Sequence, residues 1–373
     1  MKYYIIAGEA SGDLHGANLM KALQDQDAHA NFRFWGGDLM QAVGGTLVKH
    51  YKERQFMGFA EVILNLRKLL GLIKFCKKDI AIFQPDVIIF IDNSGFNLRI
   101  AKWAKEENYN TQYYISPQVW ASRASRVEKI KRDVDAMYVI LPFEKSFYDG
   151  YDYPVHFVGH PLIDAIADRT QISEHEFCAK HDLSNKPIIA LLPGSRKQEI
   201  TKMLGVMLSV VEDFKDYQFV IAGAPSQERS FYNTFIKQAN VSFVENQTYD
   251  LLSVSTAALV TSGTATLETA LFKVPQVVCY KANAISYQIA KRIITLKYIS
   301  LVNLIMDKEV VTELIQHELN TKRLKHELSK ILDDQERIKF FLNYYELEKK
   351  LGGKGASKKT AELIFESCKS NRF

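Results

Sequence analysis

A recurring unit constrains the fold of this chain most: a short apolar run, a turn of small residues and a helical pattern. The stretch 257–270 shows it most clearly, because apolar residues 257–260 lead into Ser262-Gly263-Thr264 and then into leucine and alanine at helical spacing. Strand-to-helix crossings of this kind are typical of parallel sheets. The unpaired N–H groups at the start of such a helix bind anions, so this turn is a candidate phosphate site, with Glu268 placed to accept hydrogen bonds from ribose hydroxyls. The alternative is an ordinary capped helix.

The same unit recurs along both halves of the chain. We predict strands near 3–7, 31–35, 85–91, 113–115, 136–141 and 155–158, and again near 188–192, 219–225, 241–244, 257–260 and 276–280. Alternating strands and helices predict an α/β fold, and 373 residues are enough for two domains. We therefore expect two doubly wound, Rossmann-like parallel sheets, in domains 1–165 and 166–345, followed by a helical tail, 346–373.

Composition limits the classes of protein to consider. A net charge of +5 is too mild to indicate nucleic-acid binding by itself. The four cysteines show neither paired nor metal-like spacing, which favours a reducing compartment. The first apolar run stops at Gly8-Glu9, short of a signal sequence, and no apolar run reaches the length of a membrane span. We expect a cytoplasmic protein.

Two loops of the first half carry candidate catalytic residues. Asp92 directly follows the apolar strand 85–91, where a partly desolvated carboxylate can take a proton from a substrate hydroxyl. Glu9 and Ser11 lie in the glycine-rich loop after the first strand, at the end of the sheet where such folds bind ligands. The alternative for Asp92 and for Ser11 is that each caps the helix that follows it.

The second half carries a candidate diphosphate site. Gly194 and Ser195 form a turn after the strand 188–192, and Arg196 could bind a diphosphate through two hydrogen bonds, although a surface charge is the alternative. Asn303, taken alone, is more typical of a structural residue. The two Asp-x-Asp pairs, at 25–27 and 133–135, do not follow strands, so we expect no metal site. Arg196 and helix amides would then stabilise the leaving diphosphate.

The segment 57–78 combines aliphatic side chains in nearly every turn with several lysines and an arginine. It is too charged to span a bilayer. It fits a helix that lies in the membrane interface and meets anionic lipid. The alternative is a helix with one face packed on the protein core.

Six motifs, in order along the chain, resemble the lipid-A-disaccharide synthase family. They are Gly8-Glu-Ala-Ser-Gly-Asp13, Ser116-Pro-Gln-Val-Trp-Ala121, Leu141-Pro-Phe-Glu144, Gly159-His-Pro161, Leu191-Leu-Pro-Gly-Ser-Arg196 and Thr261-Ser-Gly-Thr-Ala265. The resemblance implies an inverting, metal-independent glycosyltransferase of the GT-B type, with two Rossmann-like domains facing a cleft. Such an enzyme transfers 2,3-diacylglucosamine from UDP to 2,3-diacylglucosamine 1-phosphate, forms a β-1,6 disaccharide, and lies on the cytoplasmic face of the inner membrane. No cofactor is implied beyond the UDP-sugar donor.

The resemblance also implies roles for individual residues. Asp92 matches the proposed catalytic base, for which the neighbouring Glu9 is the alternative. The expected UDP site comprises Gly194, Ser195, Arg196, Ser262, Gly263, Thr264, Glu268 and Asn303, and Ser11 belongs to the N-terminal signature. Gly95 stands where many members of the family have a second aspartate, so Asp92 must act without it. The tail is expected to return to the first domain or to reach a second subunit of a homodimer.

Two alternatives remain at this stage. One is another GT-B enzyme, such as a UDP-GlcNAc epimerase or a muramyl glycosyltransferase. The other is a non-catalytic protein that binds UDP-sugars or lipid phosphates.

Overall fold

The computed structural model describes residues 1–54, 66–122, 124–236, 240–283, 287 and 296–370. The chain forms two compact units, one of residues 1–164 and 351–373 and the other of residues 165–350. The boundary predicted at 345 lies inside a helix of the second unit that ends at Lys350. Residues 351–373 therefore group with the first unit.

The first unit is built on a seven-stranded sheet in which every pairing is parallel. The strand order is β3-β2-β1-β4-β5-β6-β7. The strands are β1 (Lys2–Ala7), β2 (Asn31–Gly36), β3 (Thr46–His50), β4 (Val87–Ile91), β5 (Thr111–Tyr114), β6 (Ala136–Val139) and β7 (His156–Phe157). The edge strand β3 was not among the predicted strands.

Helices cover both faces of this sheet. They are α1 (Ala10–Gln26), α2 (Asp38–Val43), α3 (Leu66–Phe83), α4 (Ser94–Glu106), α5 (Val119–Ser122), α6 (Val127–Asp133), α7 (Pro142–Asp149) and α8 (Pro161–Ala167), the last of which crosses into the second unit. Two 3-10 turns, Tyr51–Arg54 and Ala124–Arg126, connect them.

Alternation along the buried strands divides the core of the first unit between the two faces of the sheet. Tyr4 and Ile6 of β1 contribute to one cluster, whereas Tyr3 and Ile5 contribute to the other. Every residue of β4 is buried, as expected for a central strand with helices on both faces. The C-terminal helix of the chain, which spans Ala356–Ser370, adds Ile364 to the second cluster and packs on α1.

The second unit repeats the arrangement with six parallel strands, in the order β10-β9-β8-β11-β12-β13. The strands are β8 (Ile188–Leu192), β9 (Gln218–Gly223), β10 (Val241–Glu245), β11 (Ser255–Thr261), β12 (Gln276–Tyr280) and β13 (Thr312–Ile315). The helices are α9 (Glu174–Lys180), α10 (Lys197–Leu208), α11 (Arg229–Ile236), α12 (Thr248–Ser253), α13 (Thr264–Leu271), α14 (Leu301–Met306), α15 (Thr321–Leu332) and α16 (Asp334–Lys350), with a 3-10 turn at Val211–Asp213. The C-terminal helix of the chain is α17. The predicted fold class, with two Rossmann-like parallel sheets, is confirmed.

Part of the amphipathic segment 57–78 lies outside the described residues, which resume at residue 66. From there α3 extends to Phe83, five residues past the predicted end at 78. Its inner face packs Ile73, Cys76 and Ile80 into the core. Within the described part of the chain, no helix has the length and apolar character needed to cross a bilayer.

Candidate functional site

The backbone at Asp92 is held in an uncommon conformation at the carboxyl end of β4. Asp92 and Asn93 have φ angles of 44° and 46°, in the left-handed region that residues other than glycine seldom adopt. The buried amide of Asn97 donates to the carbonyl oxygens of Asp92, Ile91 and Ile6, at 2.8, 3.1 and 3.3 Å. The hydroxyl of Tyr113 also donates to the Asp92 carbonyl oxygen. These contacts stabilise a strained turn that presents the carboxylate, and the roles of Asn97 and Tyr113 were not predicted from the sequence.

The Asp92 carboxyl group titrates well above its ordinary range. The residue is exposed to solvent, yet protein surrounds the carboxylate closely enough that desolvation raises its pKa, and the negative charge of Glu9 raises it further, to about 6. A hydrogen bond from the Asn93 backbone acts in the opposite direction. Asp92 is therefore ionised at neutral pH and still more basic than a free aspartate. The structure thus brings Glu9 close enough to influence Asp92, although they follow different strands.

Gly8 fixes the approach between the loops that follow β1 and β4. A Cβ atom at Gly8 would lie 2.1 Å from the side-chain nitrogen of Asn93, a distance at which one of the groups must move. That nitrogen is buried and has no hydrogen-bond partner among the described residues. The glycine that begins the first motif is therefore explained by close packing beside Asp92.

Asp92 lines a cavity of about 430 Å³, here called the Asp92 cavity, whose other lining residues are Ser94, Pro117, Gln118, Val119, Ala121 and Arg126. Most of these belong to the Ser-Pro-Gln-Val-Trp-Ala motif. Ser116 donates a hydrogen bond to the buried carboxylate of Glu144, which also accepts from the backbone N–H groups of Leu141 and Ile140, at 2.9 and 3.1 Å. The motif at 116–121 therefore contacts the motif at 141–144, and Glu144 of the second motif anchors the loop that lines this cavity.

The remaining residues of the N-terminal motif have different surroundings. Ser11 is exposed in the first turn of α1, and Glu9 is the residue that precedes this helix. Asp13 is buried and accepts hydrogen bonds from the backbone N–H groups of Gly37, Leu39 and Met40, at 2.7, 3.0 and 3.1 Å. It therefore stabilises the start of α2 rather than its own helix.

In the second unit, six of the predicted residues line one pocket of about 300 Å³, here called the Glu268 pocket. They are Gly194, Ser195, Ser262, Gly263, Thr264 and Glu268. The turns after β8 and β11 meet here because the two strands are neighbours in the sheet. The start of α13, at Thr264, lies in the lining, so backbone N–H groups without partners inside the helix are available at this pocket.

The Glu268 side chain is partly buried and accepts a hydrogen bond. Its Oε1 accepts a hydrogen bond of 2.8 Å from the Tyr249 hydroxyl. Desolvation raises the pKa of Glu268, and the bond from Tyr249 opposes that shift. A carboxyl group held in this way keeps further oxygen lone pairs for a ligand hydroxyl.

Thr261 is a pocket residue that was not predicted from the sequence. Its hydroxyl is buried and has no hydrogen-bond partner among the described residues, although Thr261 lines the Glu268 pocket. Buried hydroxyls normally have a partner, so a polar group of a ligand is the natural one here. The sequence signal for Thr261 was its position at the end of a buried strand, directly before the turn of small residues.

Gly194 is needed in its turn. Its φ of 107° lies in the region that favours glycine, and a Cβ atom there would come within 2.9 Å of the Glu199 carboxylate.

Arg196 does not line the pocket, but it forms an ion pair with Glu199, which does. Its guanidinium contacts the Glu199 carboxylate at 3.1 Å, and its side chain is 83% exposed. It precedes α10 in an extended backbone conformation.

Asn303 lies apart from the other predicted residues. Its side-chain amide donates to the Val311 carbonyl oxygen and to Glu313, at 2.8 and 2.9 Å, and its oxygen accepts from the N–H groups of Val310 and Val311. The side chain is fully buried, and it fastens α14 to the segment before β13. The structure places it in this structural network and does not bring it into the Glu268 pocket.

Across the residues that the structure describes, no group of three or more His, Cys, Asp or Glu side chains is arranged to hold a metal ion. The two Asp-x-Asp pairs have structural contacts instead. Asp27 binds the N-terminal amine at 2.5 Å, and Asp133 forms two hydrogen bonds with Arg132.

Similar proteins identify the family. Solved structures with this fold include a UDP-GlcNAc 2-epimerase from Neisseria meningitidis bound to UDP-GlcNAc (13% identity, TM-score 0.66, all of both chains) and the glycotransferase of kitacinnamycin (13% identity, TM-score 0.65, 98% of both chains). At this identity they show the fold alone, so they do not favour the epimerase alternative.

Sequence relatives are much more similar. The lipid-A-disaccharide synthase of Syntrophus aciditrophicus is 38% identical, with 98% of each chain covered, and that of Geobacter metallireducens is 36% identical, with 99% of this chain and 97% of the relative covered. The family model described as lipid-A-disaccharide synthetase matches residues 3–366. With nearly the whole chain matched in each case, the chain belongs to the lipid-A-disaccharide synthetase family.

Proposed function

We propose that this protein catalyses the transfer of 2,3-diacylglucosamine from its UDP carrier to the 6-hydroxyl of 2,3-diacylglucosamine 1-phosphate. The products are a β-1,6-linked disaccharide 1-phosphate and UDP. The proposal rests on family membership and on one observation above others, the Asp92 carboxyl group whose pKa is raised to about 6 at the end of β4.

In this mechanism Asp92 is the general base. As the acceptor oxygen forms its bond to the anomeric carbon of the donor, its proton passes to the Asp92 carboxylate. The bond from that carbon to the diphosphate oxygen breaks, and UDP leaves with the electron pair. One displacement of this kind inverts the anomeric configuration. A base with a pKa near 6 is ionised at neutral pH and accepts a proton more readily than an ordinary aspartate does.

The second unit then supplies the donor site. The N–H groups at the start of α13 provide partial positive charge for the diphosphate, and Arg196 provides a full charge from the side of Glu199. Glu268 and Thr261 supply hydrogen-bonding groups for the nucleoside. These groups suit a mechanism in which charge on the leaving diphosphate is stabilised by the protein without a metal ion. Turnover that persists in excess EDTA would support this part of the mechanism.

Replacing Asp92 by Asn tests the role of the base. The variant should lose turnover by about 10²-fold or more while it binds UDP with nearly unchanged affinity. Asp149→Asn, at an exposed aspartate at the end of α7, is the matched control and should retain wild-type turnover. Release of UDP and formation of the disaccharide are measured together. If the wild-type protein binds UDP but forms no disaccharide, the protein is a binder rather than an enzyme.

We also propose that α3 rests on the cytoplasmic surface of the inner membrane. Leu70, Phe75 and Ile82 are 55%, 47% and 71% exposed on its outer face, and Lys74 and Lys78 are exposed among them. Apolar groups flanked by cations suit an anionic lipid surface. The double variant Leu70→Ser/Ile82→Ser should sediment less with anionic vesicles than the wild type, whereas Leu39→Ser, at an exposed leucine of α2, should not. Unchanged sedimentation of the double variant would refute this placement.

A homodimer is a further proposal, which an exposed apolar stripe on α16 supports. Ile338, Leu342 and Tyr345 are 52%, 67% and 57% exposed and lie one to two turns apart on one face. Leu342→Glu should shift the protein to a monomer in light scattering. A wild type that is already a monomer at high concentration would refute the proposal.

A further inference from the structure

A second cavity of the first unit adjoins the Asp92 cavity and has a different character. It encloses about 280 Å³ along α4, the 3-10 turn at 124–126 and α6. Ser94 and Arg126 line both cavities, so the two adjoin at these residues. We call this second cavity the basic groove.

Positive charge dominates the lining of the basic groove. Five cationic side chains line it, Arg99, Lys102, Arg126, Lys129 and Arg132, against a single lining carboxylate, that of Asp133. The two cations of α4 are one turn apart, as are those of α6, so each helix turns a pair of charges toward the same groove.

Several of these cations already have partners inside the protein. Arg132 is committed to Asp133 through hydrogen bonds of 2.6 and 2.7 Å. Arg99 donates to the Gly95 carbonyl oxygen at 2.9 Å, and Lys102 lies 3.7 Å from Glu106. Gathering like charges in this way opposes folding, and a doubly charged anion relieves the repulsion.

The acceptor of the proposed reaction carries such an anion at a suitable position. Its phosphate is attached to C1 and its reactive hydroxyl to C6, and the ring oxygen links C1 to C5, which bears C6. The phosphate and the attacking hydroxyl therefore project from adjacent parts of the sugar. An acceptor whose 6-hydroxyl meets Asp92 can place its phosphate in a cavity that shares Ser94 and Arg126 with the Asp92 cavity.

We propose that the basic groove binds the anomeric phosphate of the acceptor and so selects a phosphorylated sugar for attack. This inference rests on the proposed function and extends it, because it assigns the charged end of the acceptor to α4 and α6. The cations act as positioning and specificity residues, and the proton transfer remains with Asp92. The groove also explains how the enzyme distinguishes acceptor from donor, since only the acceptor carries a phosphate monoester.

The test uses two double variants with the same change in charge. Lys102→Gln/Lys129→Gln removes one cation of the groove from each helix. Lys105→Gln/Lys131→Gln removes one lysine from each of the same helices outside the groove, where Lys105 pairs with Asp135 and Lys131 donates to the Tyr151 carbonyl oxygen. Both are assayed in detergent with 2,3-diacylglucosamine 1-phosphate and with the same sugar lacking its phosphate. Thermal unfolding of both variants confirms that they fold.

The groove variant should raise the KM for the phosphorylated acceptor about tenfold or more, with the KM for the donor unchanged. It should leave the KM for the unphosphorylated sugar as in the wild type, and the control variant should resemble the wild type with both acceptors. Equal effects on the two acceptors, or none, would overturn the proposal. So would an unchanged KM combined with weaker sedimentation on anionic vesicles, since the groove would then bind bilayer headgroups.

Wild-type turnover in the same assay separates this proposal from the proposed function. Absence of the disaccharide from wild-type reactions would end both. Normal wild-type turnover with an unchanged acceptor KM in the groove variant would end only the assignment of the groove.

Discussion

Replacing Glu9 by Gln tests how the pH dependence of the reaction arises. The base must be ionised, so activity is present above the pKa of Asp92 and is lost as the pH falls through it, near 6. At pH 5 a carboxyl group with this pKa is ionised in only about one molecule in ten, and the rate should be reduced accordingly. The rate should be independent of this group at pH 8.

The Gln substitution removes the charge of Glu9 but leaves the desolvation of Asp92. Because desolvation is the larger cause of the shift, the pKa of Asp92 should fall and still remain above the ordinary 3.8. The rate at pH 5, expressed relative to the rate at pH 8, should therefore rise several-fold over the wild type. Complete ionisation sets the limit of this gain at about tenfold.

The assay is the pH profile of kcat/KM for the wild type, Glu9→Gln and Asp92→Asn. Two buried histidines also resist protonation in this pH range, so samples held at pH 5 and returned to pH 7.5 must recover their full rate. An acidic limb that does not move in Glu9→Gln would refute the coupling of the two carboxylates. A Glu9→Gln variant that is inactive at every pH, beside an active Asp92→Asn variant, would identify Glu9 as the base.

Three further predictions concern individual residues. The substitution Thr261→Val replaces a hydroxyl that has no partner among the described residues by an isosteric methyl group. It should weaken UDP binding by about tenfold in calorimetry and leave thermal stability nearly unchanged. Equal affinity would show that the hydroxyl does not contact the ligand. Gly8→Ala should displace Asn93 and reduce kcat with UDP affinity retained, and a variant with wild-type kcat would show that the loop yields without consequence. Burial lowers the pKa values of His15 and His160 to about 4 and about 3, so the unfolded state binds more protons than the folded state below pH 6.5. The free energy of unfolding should therefore fall as the pH drops from 6.5 towards 4. In urea titrations the variant His15→Gln/His160→Gln should lose less unfolding free energy over that interval than the wild type, and an equal loss would contradict the assignment.

The sequence predicted every interior strand of the two sheets, together with two of the four edge strands, His156–Phe157 and Val241–Glu245. Apolar runs such as Val87–Ile91 and Ile188–Leu192 have no polar interruption, so their position follows from composition and length. The two strands that were missed, Thr46–His50 and Thr312–Ile315, lie at the edges of their sheets and are only partly buried. An edge strand needs few apolar residues, and its pattern is correspondingly weak.

The candidate sites were predictable only where a residue's position in the chain determines its role. Asp92 directly follows β4, and Glu268 lies in the helix that follows β11, and the parallel topology brings such strand ends to one edge of each sheet. The contacts that adjust these residues come from elsewhere in the chain. The charge of Glu9 on Asp92, and the bond from Tyr249 to Glu268, depend on packing between separate elements, which no spacing within a single element reveals.

Asn303 shows the opposite limit. A polar residue in a helix can bind a ligand or stabilise the fold, and the sequence alone does not decide between the two. In the structure its amide makes hydrogen bonds to the segment that leads into β13 through both its nitrogen and its oxygen. Any contribution of Asn303 to nucleotide binding would therefore act through the position of α14 rather than by direct contact with the described pocket.

The carboxylates of the Glu268 pocket raise the question of how a diphosphate can bind beside them. Glu199 is already paired with Arg196, whose guanidinium is largely exposed and can turn toward an incoming anion with little loss of burial. Glu199 would still accept a hydrogen bond from the Arg196 backbone, at 3.3 Å, after such a turn. Glu268 has a raised pKa and a hydroxyl partner, which lessen its repulsion of an anion. We infer that Glu199 keeps Arg196 within reach of the diphosphate, so the pocket presents cation and helix amides to the phosphates while its second carboxyl group meets hydroxyls.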